Sequence, residues 1–410
     1  MREGKRLRIA VLTDCHAYTG RPEDKGNSPS WLDLTKGQAD VAQNPFAGLG
    51  DLAQKDPSFR ADIVLCCGDL GDKANPDGLQ YVWREVTRLK DLMEAELVIG
   101  TAGNHDMDSR HVYNDYDARS QVQALKPLFP VDDERRWLEY WAKNFTIFKH
   151  GGARIVVLNT AAYHGYAKDP SKPEYTHGRV SDGTIARLVS ELTADGACAA
   201  NLLVCHHHPF RNSRIVDQDY SEMTNGDQLV NRIVEAAVGP WLVIHGHKHT
   251  ARVFYAFGSS SAPTVFAAAS FAARAYPNQI GQTHNEFYIV DLEVPSAPGS
   301  TSSLKGRIRT WNWTYGNSWR RPQVGEGLGP NAGFGLRSDV AELAATVANG
   351  LKNANSGTTM KWEDVVALTP SLQYLVPEDF DLLIQHLRDF HGFGFTCELE
   401  RKEIAEVQVP

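Results

Sequence analysis

Five short blocks carry most of the chemistry this chain could perform: Asp14-Cys15-His16, Gly68-Asp69, Gly103-Asn104-His105-Asp106, His206-His207-His208-Pro209 and Gly246-His247-Lys248-His249. Each ends an apolar run. The clearest, Asp62-Ile63-Val64-Leu65-Cys66-Cys67, reads as a buried strand that stops at Gly68, so Asp69 stands where a glycine lets the backbone turn. A carboxylate in that position can face two ions and bridge them. A glycine–aspartate pair alone is a common turn; the weight comes from five such blocks in one order. Asp14, His16, Asp69, Asn104, one of the histidines 206–208, His247 and His249 supply carboxylate, imidazole and amide donors in number for two ions. Mixed nitrogen and oxygen donors without thiolates suit Mn²⁺, Fe and Zn²⁺, whereas an all-oxygen set would point to Mg²⁺ or Ca²⁺. Two ions roughly 3.5–4 Å apart on a shared carboxylate lower the pKa of a water between them and clamp a phosphoryl oxygen for in-line attack. The implied reaction is direct hydrolysis of a phosphate ester, with no covalent enzyme intermediate.

The elements that must position these blocks alternate in type. Residues 7–13 form a strand delivering Asp14 and His16, and 97–99 a strand opening onto Asn104. Between them, 78–94 has the apolar spacing of an amphipathic helix. Residues 18–57, rich in Gly, Pro, Asn and Asp, read as a long loop with one short helix, lying over the site. Helix 132–143, a hairpin over 145–158 with a glycine turn, and a helix beginning at the N-cap Ser181 follow. Strand 201–205 then runs into the triple histidine, and helix 227–238 and strand 241–245 lead to Gly246. From 250 to 314 short β-like runs succeed one another without a helix. Alternation followed by an all-β stretch implies two sheets packed face to face with helices outside. Residues 319–337, with five glycines and two prolines, read as a linker between a domain at 1–318 and a small α+β unit at 338–410.

Bulk composition sets limits. The 410 residues allow one large domain and something smaller. A net charge of −8 gives no global basic footprint for nucleic acid or an anionic membrane, although a local basic groove stays open. Six cysteines with no CxxC pair suit buried thiols in a reducing compartment. The apolar run after the basic N-terminus is too short and polar for a signal peptide, and no stretch reaches transmembrane length. The expected location is cytoplasmic, away from membrane.

At the five blocks the sequence resembles the calcineurin-like metallophosphoesterase superfamily, whose signature reads D-x-H, G-D, G-N-H-D/E, H and G-H-x-H, over roughly residues 7 to 315. The resemblance implies an α/β fold, a four-layer α/β/β/α sandwich with metals at the C-terminal edge of the sheets. It implies Asp14, His16 and His249 on one ion, Asn104, His207 and His247 on the other, and Asp69 bridging. His207 is chosen because the family's ligand usually lies two before the proline; His206 is then a strand-end core residue and His208 a substrate-side group. His105 would sit over the phosphate as charge stabiliser or general acid, with Asp106 orienting its ring. Mn or Fe is the expected metal, and Zn²⁺ also fits. His245, Cys66 and Cys67 read as buried structure, and Trp311, Trp313 and Trp319 as core. His164, His177 and Arg211 are loop residues near the expected mouth, and His208, His177 and Arg211 are the candidate substrate contacts.

His177-Gly178-Arg179-Val180-Ser181 before a helix, with His-His-His-Pro after it, is similar to the bacterial cyclic-nucleotide phosphodiesterase branch, whose members act on various phosphodiesters and monoesters. The expected function is therefore hydrolysis of a small-molecule or nucleotide phosphodiester by a metal-bridging hydroxide. The alternatives are a nuclease of the repair branch, a phosphomonoesterase, and a non-catalytic scaffold or sensor. A scaffold usually loses a ligand or the Asn-His pair, and this chain keeps them. The 338–410 unit could serve dimerisation, regulation or docking, and a homodimer is one arrangement it allows.

Overall fold

Each of the five blocks lies at or just beyond the end of a regular element. The protein is described by a computed structural model over residues 5–20, 28–166, 177–210, 222–256, 261–274, 284–299, 303–355, 357–399 and 402–410. The first part of the chain alternates: β1 (Lys5–Leu12), α1 (Pro45–Lys55), β2 (Ile63–Cys66), α2 (Pro76–Leu92), β3 (Leu97–Gly100), α3 (Ser120–Gln123) and α4 (Glu134–Lys143). The hairpin β4 (Phe145–His150) and β5 (Ala153–Leu158) leads to α5 (Asp182–Asp195), β6 (Asn201–Val204), α6 (Gly226–Glu235) and β7 (Trp241–His245). Six strands complete the sheets: β8 (Arg252–Tyr255), β9 (Thr264–Ala267), β10 (Asn285–Val294), β11 (Lys305–Thr314), β12 (Ser318–Arg320) and β13 (Asn331–Phe334). The C-terminal unit holds α7 (Val340–Asn355), β14 (Thr359–Lys361), α8 (Trp362–Leu368), α9 (Pro377–His391), β15 (Gly394–Cys397) and β16 (Ile404–Gln408).

The large sheet runs β12-β11-β10-β1-β2-β3, with β13 also on β11; the second runs β4-β5-β6-β7-β9-β8. β1, β2 and β3 are parallel, as are β5, β6, β7 and β9. One apolar core lies between the sheets and continues under α1 and α2, joining Val11, Leu65, Leu202, Val204 and Ile244 to Phe46 and Trp83. A second lies under α5 and α6 and holds Leu188, Ile233, Leu203 and Cys205. Alternate residues of β6 thus face opposite cores, as strand geometry requires. The result is the expected four-layer α/β/β/α sandwich. Burying each large apolar side chain stabilises it by about 1.5–3 kcal/mol.

The helices start where their caps are written. Asn75 accepts from the Gly78 amide at 2.8 Å with Pro76 beginning α2, and Ser181 accepts from the Thr184 amide at 3.2 Å at the start of α5. The expected linker at 319–337 is corrected by the structure. β11 is ten residues long and pairs two short strands in succession, β12 through Trp313↔Trp319 and β13 through Ile308↔Ala332. Trp319 anchors this return, burying its ring beside Phe271 and donating its indole N–H to the Pro45 carbonyl at 2.7 Å. The glycines and prolines mark the turn between two strands of the sheet.

Residues 338–410 build their own small core, with Leu351, Val365, Leu383, Leu387 and Val407. Their strands order β14-β16-β15. α8 and β14, absent from the sequence reading, complete the unit. It rests on the sandwich through Val376, through Tyr374 Oη donating to Glu293, and through an Arg252–Glu378 ion pair of 3.1 Å. Among the described residues no helix is long and apolar enough to cross a membrane.

Candidate metal centre

The parallel strands β1 and β2 end side by side, and the turns after them are stitched together: the Asp14 amide donates to the Gly68 carbonyl, and those of Cys15 and His16 to Asp69. Asp14, His16, Asp69, His247 and His249 all take left-handed backbone conformations, with φ of 54°, 50°, 53°, 77° and 54°. Such conformations are costly for side chains other than glycine and persist where the surroundings over-determine them, commonly at functional sites. Two glycines make the close approaches possible. A Cβ at Gly246 would lie 2.1 Å from Thr13 Oγ1 and 2.6 Å from Asp14 Oδ2, and one at Gly103 would lie 2.1 Å from Asp69 Oδ1.

The ligand atoms converge in two groups sharing a carboxylate. Asp14, His16 and His249 bring their donors within 4.8 Å of one another, as do His206, His207 and His247. Asp69 lies between, its Oδ2 being 3.7 Å from His16 Nε2 and 3.2 Å from His206 Nε2. His16 Nε2 and His249 Nε2 face each other at 3.3 Å, and Asp14 Oδ1 stands 3.2 Å from His249 Nε2. The buried atoms Asn104 Oδ1, His207 Nε2 and His247 Nε2 have no hydrogen-bond partner. Buried polar atoms are normally satisfied, and His207 Nε2 and His247 Nε2, left unpartnered within one ligand group, fit a cation there. No thiolate joins them: Cys15, Cys66, Cys67 and Cys205 are buried, and burial pushes Cys205 up to about 12.

Electrostatics agree with a cation site. Burial alone would raise Asp14, but the charge of His249 and hydrogen bonds from His16 and His249 hold it well below the usual carboxylate range. Asp69 is likewise held low, against its burial, by His206 and His105. His206 answers with a raised pKa, because Asp69 and Asp14 outweigh the cost of burying its charge. His207 and His247 are pushed well below the ordinary histidine value by burial and by His206, so their lone pairs are free to ligate.

His206 differs from its expected role as a core bystander. The alternation that sends Leu202 and Val204 between the sheets continues to His206, bringing its ring to the end of β2, where Nδ1 meets the Cys67 carbonyl at 2.7 Å. That partner fixes the tautomer leaving Nε2 toward Asp69, as outer contacts of metal-binding histidines do. His207 is held by Thr160 Oγ1 at 2.8 Å on its Nδ1 and stacks against His164, whose centroid is 5.5 Å away. His208 is buried and stacks on His247 at 5.6 Å.

The role expected of Asp106 is corrected. Its two oxygens accept from the amides of Asp69 at 2.9 Å, Leu70 at 2.7 Å, Gly71 at 3.3 Å and Gly103 at 2.8 Å. It therefore welds the two ligand-bearing turns, and these hydrogen bonds go to backbone amides rather than to the His105 ring. The ring of His105 is held instead by Asp72, with Nδ1 3.0 Å from Oδ1. Asp72 follows Asp69 by one turn of chain and carries no motif signal, so only the folded geometry identifies it. Burial lowers His105, but Asp69 and Asp72 prevail and raise it. His105 lies edge-on to His16 at 4.6 Å and is 27% exposed, against 18% for His249.

The remaining expected contacts stand apart. His177 turns its Nδ1 to the Glu222 carbonyl at 3.1 Å and belongs to no ligand group. His164 is buried, with Nε2 on the His177 carbonyl at 3.0 Å. Arg211 lies outside the described residues, as do 21–27 of the expected 18–57 loop. His245 is buried structure, as expected.

Comparison with known proteins adds the family. The calcineurin-like phosphoesterase model matches residues 7–251, and a calcineurin-associated winged helix-turn-helix (wHTH) model matches 332–389. No curated protein matches the chain. Among solved structures it is similar to a dimetal phosphatase from Danio rerio, at 13% identity and TM-score 0.45, covering 75% of this chain and 99% of that one. It is also similar to a purple acid phosphatase from yellow lupin (Lupinus luteus) seeds, at 11% identity and TM-score 0.46, covering 77% and 53%. Haemophilus influenzae NAD nucleotidase gives 13% identity and TM-score 0.37, covering 78% and 54%. With five intact blocks, two ligand groups sharing Asp69 and a family match over most of the sandwich, this chain belongs to the calcineurin-like phosphoesterases and is a metal-dependent phosphoesterase.

Proposed function

We propose that the chain hydrolyses a phosphodiester of a small molecule or nucleotide, a cyclic nucleotide being one such ester. Asp14, His16 and His249 would hold one ion, Asn104, His207 and His247 the other with His206 beside them, and Asp69 stands where both could share it. The mix of imidazole and carboxylate donors suits Mn, Fe or Zn, with Mn or Fe preferred here. Such ions, when bound, would activate a water near neutral pH and offset negative charge on the phosphoryl group. The chain's own residues do the rest. Asp106 fixes the relative position of the 68–71 and 103–106 turns, and Thr160 fixes the His207 ring.

The observation that carries the reading is His105. It is a raised-pKa imidazole beside the ligand groups, oriented by Asp72 and more exposed than the ligand histidines cited above. An acid so placed can protonate the departing oxygen of an ester, which matters most for alkoxide leaving groups. The acidic balance of the chain, at −8, disfavours the nuclease alternative. Hydrolysis of bis-p-nitrophenyl phosphate and p-nitrophenyl phosphate by Mn²⁺-loaded protein, beside Asp69→Asn, tests this. Diester turnover that exceeds monoester turnover and vanishes in the variant supports it; monoester preference overturns it.

A further inference from the structure

The winged helix-turn-helix unit plays no part in the chemistry above, and its surface is unlike that of a nucleic-acid reader. Residues 338–410 hold twelve acidic and five basic residues, a net charge of −7 within a chain whose total is −8. A DNA-binding helix-turn-helix presents its recognition helix to the major groove with N-terminal residues on base edges and cations on phosphates. Here α9, the helix that precedes the β15–β16 wing, carries Glu378, Asp379, Asp381 and Asp389. Its one arginine, Arg388, lies over the Phe395 ring at 5.8 Å. The N-terminus of α9 is also occupied, because Glu378 is paired with Arg252 of the sandwich.

The same helix shows solvent an apolar stripe. Leu383 and Leu387 face the unit's core, while Leu382 is 40% and Phe390 72% exposed. His386 lies between them one turn from each, its ring 5.1 Å from that of Phe390. In the wing, Leu399 is 95% exposed beside Glu398. Scattered exposed apolar residues are ordinary, but an aromatic and a leucine aligned along one acidic helix are the anchors of a docking face.

We propose that the outer face of α9 is a docking surface for a basic, amphipathic helical segment of a partner protein. Leu382 and Phe390 receive its apolar residues, and Asp389 beside Phe390 and Glu398 in the wing receive its lysines or arginines. Charge complementarity selects this occupant: a phosphate backbone or a second acidic copy of the unit would be repelled by the same carboxylates. Helix-on-helix docking of this kind reads anchors at i, i+4 and i+8, the spacing of Leu382, His386 and Phe390.

The test uses the full chain and a labelled lysine–leucine peptide designed as an amphipathic helix, with fluorescence anisotropy as readout. The controls are a peptide of equal charge with serine for leucine, a duplex DNA and a single-stranded RNA. The leucine peptide binds, the serine peptide binds more weakly, and affinity falls as salt rises. Phe390→Ser and Asp389→Lys each weaken binding by about tenfold or more. Both sites are exposed, so circular dichroism and bis-p-nitrophenyl phosphate hydrolysis stay as in the parent. Absence of peptide binding, or binding unchanged in both variants, overturns the proposal. Nucleic-acid binding lost in an α9 variant, or self-association in sedimentation that Phe390→Ser abolishes, overturns it too, assigning the face to a nucleic acid or a second copy.

Discussion

Replacing Asp72 by asparagine separates the two orienting roles that adjacent carboxylates could play at this centre. The Asp72–His105 contact is 3.0 Å, and Asp72 is buried while His105 is 27% exposed. A hydrogen bond to a charged group contributes about 1.5–3 kcal/mol; partial exposure of the ring favours the lower part of that range. Without Asp72 the His105 pKa falls, since Asp72 is among the groups that raise it, and loss of a contact of that size from the transition state slows turnover by roughly tenfold. Asp72 stabilises the protonated ring, so its loss moves the alkaline limb of the pH–rate profile to lower pH, where the general acid now loses its proton sooner. The assay compares pH–rate profiles of parent and Asp72→Asn on two diesters: bis-p-nitrophenyl phosphate, whose leaving group departs as a stable anion, and a 3′,5′-cyclic nucleotide, whose leaving group is an alkoxide. A larger loss on the cyclic nucleotide, with the shifted limb, is expected. Equal losses on both esters with an unmoved limb would refute the assignment of His105 as acid and Asp72 as its orienter.

Other residues give separate readings. Asp106→Ala strands four backbone N–H groups at about 1–3 kcal/mol for each buried donor; thermal unfolding should drop sharply and metal content with it, whereas a normal melting temperature with slow turnover would restore Asp106 to a catalytic role. His206→Ala should lower metal stoichiometry, measured by elemental analysis, and a stable variant retaining two ions would return His206 to the core. Burial pushes the Glu286 carboxyl up to about 8, so the folded chain keeps a proton that the unfolded chain releases near the ordinary glutamate value. Stability is then fullest below that value and declines as pH rises through 8. Glu286→Gln should flatten this decline in urea melts between about pH 5 and 8, and an unchanged slope would exclude it as the source.

What could be read in the sequence follows from range. The five blocks were legible because each is a strand end plus a turn, a local pattern, and because a bridging carboxylate needs little more than a glycine before it. His206 required knowing that β6 keeps its alternation past its last ladder bond, so that the ring faces Asp69 across the two sheets. Asp72 takes the place expected of Asp106 at His105 because that contact depends on how two turns separated by more than thirty residues meet. The 319–337 segment misled for another reason. Glycine and proline announce turns, but cannot tell a turn within a sheet from a tether between domains, and only the length of β11 decides. α8 is seven residues, below the length at which periodicity speaks.

The most direct test of the account is the metal content of the full chain after Mn²⁺ loading and desalting, with Asp69→Asn beside it. Two ions per chain, falling to one or none when the shared carboxylate loses its charge, is the predicted result. Two ions in both proteins would contradict a bridging Asp69, and none in the parent would contradict the centre itself.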